Sequence, residues 1–111
     1  MQGNEYQELA MRTAPENLTS SELMVNSALG LTGEAGEYAD ILKKHLYQGH
    51  ELDKHHLAKE LGDILWYVAM GCQAIGYSMD EVMLMNIEKL KKRYPDGFDS
   101  DRSQHRVAGD I

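Results

Sequence analysis

The chain contains little cysteine and little proline. It has one cysteine, Cys72, and two prolines, Pro15 and Pro95, among 111 residues. A single cysteine excludes an internal disulfide framework. The first residues lack a basic and then apolar secretory signal, so we expect a cytoplasmic protein. The longest apolar stretch, around residues 64–72, is far shorter than the ~20 residues that span a bilayer, which argues against a membrane protein.

Basic residues are also scarce. The chain has eleven Lys and Arg residues and eighteen Asp and Glu residues, which gives a net charge of −7. Broad nucleic-acid binding needs a surplus of basic residues, so this class of partner is not expected. The length suits one domain with one core, which excludes a two-domain enzyme. We divide the single domain, residues 1–111, into an N-terminal helix and loop (1–19), core helices (20–94) and a polar tail (95–111).

Helical patterns fill the region between the two prolines. From Ser20 to about Tyr47 apolar residues recur at steps of four and three, with Ser20 or Ser21 as the expected N-cap. Asp53 caps a second helix that runs toward Gly76.

Two further helices complete the prediction. Ser78 and Glu81 form a capping box that opens a third long helix, to about Tyr94. A short amphipathic helix over residues 5–12 precedes the others, and no strand is credible. The segment after Pro95 has no apolar period and is expected to be a loop or tail unless a partner orders it. The predicted fold class is therefore all-α, resembling a four-helix bundle.

The acidic residues include two pairs at helical spacing. Glu34 and Glu37 lie three apart in the first long helix, and Glu60 and Asp63 lie three apart in the second. One such pair is usually a solvated helix face. Consecutive helices joined by a short turn pack antiparallel, however, and can bring two pairs opposite each other. Four converging carboxylates would take up protons or bind cations, and oxygen ligands suit Mg²⁺ or Mn²⁺.

The first long helix also carries three internal glycines, Gly30, Gly33 and Gly36. Each costs about 1 kcal/mol relative to Ala, which close helix packing or the approach of a ligand would offset. Asn26 lies almost three turns before Glu37 and points along the same stripe. Its amide is a candidate for reading a nucleobase edge, although an exposed Asn fits the spacing equally well.

Basic residues cluster at two helix ends. Cations there favour the helix dipole, and they also suit a polyphosphate, whose charge exceeds what one Mg²⁺ neutralises. The residues concerned are Lys43, Lys44, Lys89, Lys91, Lys92 and Arg93.

Over residues 28–106 these features resemble the MazG-like all-α nucleoside triphosphate pyrophosphohydrolases, in their short single-domain branch. The family's E-x-x-E and E-x-x-D pairs read here as GEAGE and KELGD. The segments LGLTGEAGEYAD, AKELGDILWYVA and NIEKLKKRYPDGF agree as well. The resemblance implies that Glu34, Glu37, Glu60 and Asp63 hold Mg²⁺. It further implies hydrolysis of a (deoxy)nucleoside triphosphate to the monophosphate and pyrophosphate.

The resemblance also implies roles around the metal. Glu34 or Glu37 is the expected general base, and the protein is expected to be a homodimer or homotetramer that cleans the nucleotide pool. Tyr67 either touches phosphate or sugar or is a core tyrosine. Besides Asn26, the family's N-x-x-K-x-x-x-R-Y run, which the resemblance places beside the phosphates, supplies the expected substrate-binding residues Asn86, Lys89, Arg93 and Tyr94. Lys92, and Lys44 near the end of the first long helix, are secondary candidates.

Three alternatives stay open. Phosphoribosyl-ATP pyrophosphohydrolase of histidine biosynthesis shares the fold and metal chemistry. A di-iron carboxylate bundle needs E-x-x-H on two helices, which the five histidines do not supply; His56 near a helix start is better explained as part of a solvated turn. A non-enzymatic helical interaction module would use the apolar faces to bind a partner.

Overall fold

The computed structural model describes residues 1–111 and contains helices without strands, which confirms the all-α prediction. The prediction of a loop throughout residues 95–111 was wrong, because Asp99 caps a five-residue helix by accepting a hydrogen bond from the Asp101 amide at 2.9 Å. A helix of five residues is too short to show a periodic pattern of apolar residues. The helices are α1 Gly3–Met11, α2 Ser20–Tyr47, α3 Lys54–Ile75, α4 Met79–Arg93 and α5 Ser100–Gln104.

Side-chain caps fix where the long helices begin. Asp53 caps α3, and Ser78 with Glu81 forms the predicted capping box of α4. The N-cap of α2 is Thr19, so the prediction of Ser20 or Ser21 was wrong. Thr19 is the N-cap because Glu22, three residues later, accepts a hydrogen bond from the Thr19 amide and completes a capping box.

Helices α2 and α3 form the largest helix–helix contact and run antiparallel. Ser27 lies closest to Gly71, Gly30 to Tyr67, and Glu34 to Glu60, so positions on α3 fall as positions on α2 rise. This register is what brings the two acidic pairs toward each other.

Helix α1 packs across α3 and the start of α4. The buried side chain of Gln7 accepts a hydrogen bond from the Met79 amide at 2.7 Å and donates to the Tyr77 carbonyl at 3.1 Å. About one helical turn after Gln7, the Trp66 indole donates to the Ala10 carbonyl at 3.1 Å. Trp66 thus packs against the small core.

The core is small for the length of the chain. Nine residues are buried, and the accessible surface is 8213 Å². A compact monomer of this mass has about 6200 Å². The radius of gyration is 17.0 Å, against about 13 Å for a compact domain of this length. Helix α4 accounts for part of the excess, with five apolar side chains exposed: Met83, Leu84, Met85, Ile87 and Leu90.

None of the five helices combines the length and the apolar character that crossing a membrane requires.

Candidate metal centre

Three carboxylates converge where the middle of α2 faces the first half of α3. One oxygen each from Glu34, Glu37 and Glu60 lies within 4.8 Å of the other two. Glu34 and Glu37 share a face of α2 because they are three residues apart, and the antiparallel register supplies Glu60 from α3. Glu60 is buried, Glu34 is half-buried and Glu37 is exposed, so the cluster opens to solvent on one side.

Glu34 and Glu60 are the two residues of this cluster whose negative charges are poorly compensated. The Oε2 atom of each is buried without a hydrogen-bond donor beside it. A hydrogen bond shared with Glu60, then desolvation, then the negative charges of Glu37 and Asp63 raise the pKa of Glu34 to about 7. In the metal-free protein, a proton on Glu34 therefore relieves the repulsion near neutral pH.

Asp63 borders the cluster rather than joining its tight centre. Its side chain is exposed, and it is not among the carboxylates within 4.8 Å of one another. Its charge nevertheless contributes to the raised pKa of Glu34, and it also raises the pKa of Tyr6 on α1, after desolvation of that hydroxyl. Asp63 therefore lies between the cluster and α1.

Sequence reasoning missed one neighbour of the cluster. Nε2 of His56 lies 3.4 Å from Oε1 of Glu60, one helical turn away on α3. The i, i+4 spacing of the two residues was the available signal. The imidazole therefore adjoins the buried carboxylate from the same helix.

The cluster fits a divalent cation that prefers oxygen ligands. Oxygens bound to one Mg²⁺ at about 2.1 Å lie at most about 4.2 Å apart, slightly less than the 4.8 Å spread of this trio. Small side-chain rotations close that gap. A cation would also satisfy the two orphaned oxygens of Glu34 and Glu60, which no protein donor reaches. The donor set, entirely of carboxylates, suits Mg²⁺ or Mn²⁺.

The glycines of α2 divide into two kinds. A Cβ at Gly30 would collide with the ring of Tyr67, so close helix packing explains this glycine. No atom lies within 4 Å of a Cβ built at Gly33 or Gly36, so packing within the chain does not explain those two. Gly33 and Gly36 directly precede Glu34 and Glu37, two residues of the carboxylate cluster, along the chain.

Two predicted substrate-binding residues on α2 lie apart from the carboxylates. Asn26 is exposed and lines a shallow groove with Val25 and Leu29. Lys44 forms an ion pair with Asp40 at 2.9 Å, one turn before it on the same helix. That pair, together with Lys43, lowers the pKa of Asp40. Neither residue is brought against the cluster by a contact within this chain.

The predicted phosphate-binding run lies on the second half of α4. Asn86, Lys89 and Lys92 line one cavity of about 700 Å³, together with residues 107–111. Tyr94 follows the helix and packs against Phe98, with ring centroids 5.3 Å apart. Arg93 is engaged in an ion pair with Asp110, a partner that sequence reasoning missed because it lies seventeen residues away. Helix α4 makes its contacts with α1 and α3 and no comparable contact with α2, which carries Glu34.

The fold and the carboxylate cluster together define an all-α protein suited to binding a divalent metal ion. Comparison with known proteins specifies it further. Residues 25–98 match the family model of the MazG nucleotide pyrophosphohydrolase domain, and since this range covers more than half of the chain, the protein belongs to that family.

A phage protein gives a second comparison. The chain is 36% identical over 69 residues to the Gene 37 protein of Mycobacterium phage L5. The match covers 59% of this chain and 60% of the phage protein. No solved structure matches the chain significantly.

Proposed function

We propose that this protein hydrolyses nucleoside or deoxynucleoside triphosphates to the monophosphate and pyrophosphate. The observation that carries the proposal is the convergence of Glu34, Glu37 and Glu60 from two helices, with ligand oxygens within 4.8 Å. A polyphosphate substrate needs a metal ion to offset its charge, and this cluster is where the chain can hold one. Membership in the MazG nucleotide pyrophosphohydrolase family supports the same reaction.

We assign Mg²⁺, with Mn²⁺ as a substitute, to Glu34, Glu37, Glu60 and Asp63. When bound there, the ion would supply positive charge to phosphate oxygens and would lower the pKa of a water that attacks in line. Glu34 and Glu37 are the candidates for the carboxylate that accepts the water's proton.

The remaining substrate contacts follow from side-chain chemistry. Lys89, Lys92 and Arg93 offer the positive charge that the phosphates need, and Asn86 offers a neutral donor beside them. Asn26, Lys44, Tyr67 and Tyr94 complete the proposed substrate-binding set. A cytoplasmic role in removing unwanted nucleotides from the pool would suit an enzyme of this size and chemistry.

We further propose that the active assembly is a homodimer or homotetramer. The excess of about 2000 Å² over a compact monomer would give a pairwise interface of about 4000 Å², within the range of obligate homodimers. The exposed apolar face of α4 supports this assembly, since apolar side chains of this size are normally covered. A second copy would also supply the cationic run of α4 to a carboxylate cluster that lacks one.

Sedimentation equilibrium tests the assembly. We expect at least twice the 12.5 kDa of one chain. Leu84→Glu, on the exposed face of α4, should shift the protein toward monomer, whereas Leu46→Glu, at the end of α2, provides a control of equal charge change. A monomeric wild-type protein at high concentration would refute this proposal.

The reaction is tested by incubating the protein with Mg²⁺ and a panel of standard and modified nucleoside triphosphates. We expect pyrophosphate and the nucleoside monophosphate, and no activity after chelation of the metal. Phosphoribosyl-ATP belongs in the panel, because its selective hydrolysis would assign the protein to histidine biosynthesis instead. Release of inorganic phosphate as the first product would contradict the proposed reaction.

A further inference from the structure

Arg93 and Asp110 form an ion pair that is largely withdrawn from solvent. Nε and Nη2 of Arg93 donate to the two carboxylate oxygens of Asp110, at 2.8 and 2.7 Å. The side chains are 10% and 11% exposed, far less than those of the ion pairs of Arg12, Lys43 and Lys44. A bidentate, desolvated pair of this kind is a strong one.

The surroundings of Asp110 are cationic. Hydrogen bonding from Arg93 lowers the pKa of Asp110 against the effect of desolvation, and the charges of Arg106 and Lys89 add to the decrease. Asp110 also lines the cavity of about 700 Å³ that contains Lys89 and Lys92. One ionised carboxylate therefore occupies a pocket whose other charged groups are mostly basic.

A local turn presents Asp110 to this pocket. Gly109 adopts a φ of +88°, in the left-handed region, and the Asp110 amide donates to the Val107 carbonyl at 3.1 Å. The turn belongs to a short segment without helix, residues 105–111, so Asp110 can leave Arg93 without unfolding any of the helices.

Carboxylate and phosphate present two oxygens to a guanidinium in the same geometry. We propose that Asp110 is an internal competitor for phosphate: it holds Arg93 in the free protein and is displaced when the phosphate chain of a nucleotide binds. This inference rests on the function proposed above, and it adds a regulatory role for residues 105–111. Glu88 is the other acidic side chain lining the cavity, and it forms no ion pair with Arg93.

The competition has a kinetic signature. Only molecules with Arg93 released bind phosphate at full strength, so the apparent affinity is reduced by the fraction of released molecules. If about one molecule in ten is released, Asp110→Asn lowers the KM for the triphosphate about tenfold and leaves kcat within about twofold. A merely structural role for the pair predicts instead an unchanged or higher KM.

The experiment compares the full-length wild type with Asp110→Asn, Asp110→Glu and the control Asp101→Asn. Asp101 is exposed and lies in the same tail, and its side chain pairs only with His105, so its substitution removes the same charge without touching Arg93. We expect a lower KM only for Asp110→Asn, with Asp110→Glu close to wild type because it retains a carboxylate. An unchanged or higher KM for Asp110→Asn overturns the competitor while the hydrolase stands.

A binding measurement separates this inference from the proposed function. Isothermal titration with inorganic tripolyphosphate and Mg²⁺ requires no hydrolysis. If no nucleotide is hydrolysed, the proposed function fails. Tighter tripolyphosphate binding by Asp110→Asn than by the wild type would still support Asp110 as a competitor in that case. Equal or weaker binding by the variant, or binding by neither protein, overturns it.

Discussion

The Oε2 atoms of Glu34 on α2 and Glu60 on α3 are both buried without a hydrogen-bond donor, and the two side chains share a hydrogen bond only when one of them carries a proton. This relationship links metal binding, protonation and stability, because a cation and a proton compete for the same oxygens.

Metal binding should therefore release a proton. The pKa of Glu34 is about 7 in the metal-free protein, above its ordinary 4.5. At pH 6 Mg²⁺ must displace that proton, whereas at pH 8 the carboxylate is already ionised. We expect about one proton released per site at pH 6 and almost none at pH 8, measured by titration calorimetry in buffers of different ionisation enthalpy. Equal release at both pH values would contradict the pKa assigned to Glu34.

The same shift fixes how stability depends on pH. A carboxyl group whose pKa is raised in the folded state binds more protons there than in the unfolded chain. The contribution of Glu34 to the free energy of unfolding is present at low pH and is lost as the pH rises from about 4.5 through 7. Mg²⁺ should restore the melting temperature in the upper part of that range. The measurement is thermal unfolding between pH 5 and 8, with and without the metal.

Substitution of the cluster should separate activity from folding. We expect Glu37→Gln, Glu60→Gln and Asp63→Asn each to reduce Mg²⁺-dependent pyrophosphate release by at least about 100-fold. The helical circular dichroism should remain, because each substitution removes a charge and keeps the size of the side chain. Glu51→Gln, in the exposed loop before α3, is the matched control. Full activity of all three variants would refute the site, whereas a wild type without any activity would favour a non-enzymatic interaction module.

Gly30 and Gly33 should respond oppositely to alanine. The methyl group of Gly30→Ala would collide with the Tyr67 ring, so we expect destabilisation of about 1–3 kcal/mol. Gly33→Ala meets no atom within 4 Å and gains helix propensity, up to about 1 kcal/mol of stabilisation. Urea unfolding measures both. A stabilising Gly30→Ala would mean that α2 and α3 separate easily at this point.

Gln7 should be important for stability although it is far from the carboxylates. Gln7→Ala leaves the Met79 amide at the start of α4 without its acceptor and removes the donor to the Tyr77 carbonyl. We expect a loss of about 2–4 kcal/mol in the free energy of unfolding. Gln2→Ala, at an exposed N-cap position without a side-chain hydrogen bond, should change it by less than about 0.5 kcal/mol. If both variants lost a similar free energy of unfolding, α1 would not unfold together with the other helices.

Local rules were enough to predict most of the helices. The i, i+3 and i, i+4 recurrence of apolar residues predicted α2, α3 and α4, and the capping box at Ser78 predicted the start of α4. They failed where two local signals competed, as at Thr19, and where an element was too short for a period, as in α5. Pairing of Glu34 with Glu37 on one helix face also follows from spacing alone.

Only the tertiary structure decided which groups meet across the chain. Spacing cannot set the register of α2 against α3, which depends on the fit of the Tyr67 ring over Gly30 and places Glu60 against Glu34. Likewise, no local pattern connects Arg93 with Asp110. Residue spacing determines the face of one helix, whereas contacts between elements depend on shape and charge summed over both partners. The sequence alone therefore predicted the carboxylates as candidate ligands, and packing determined which of them converge.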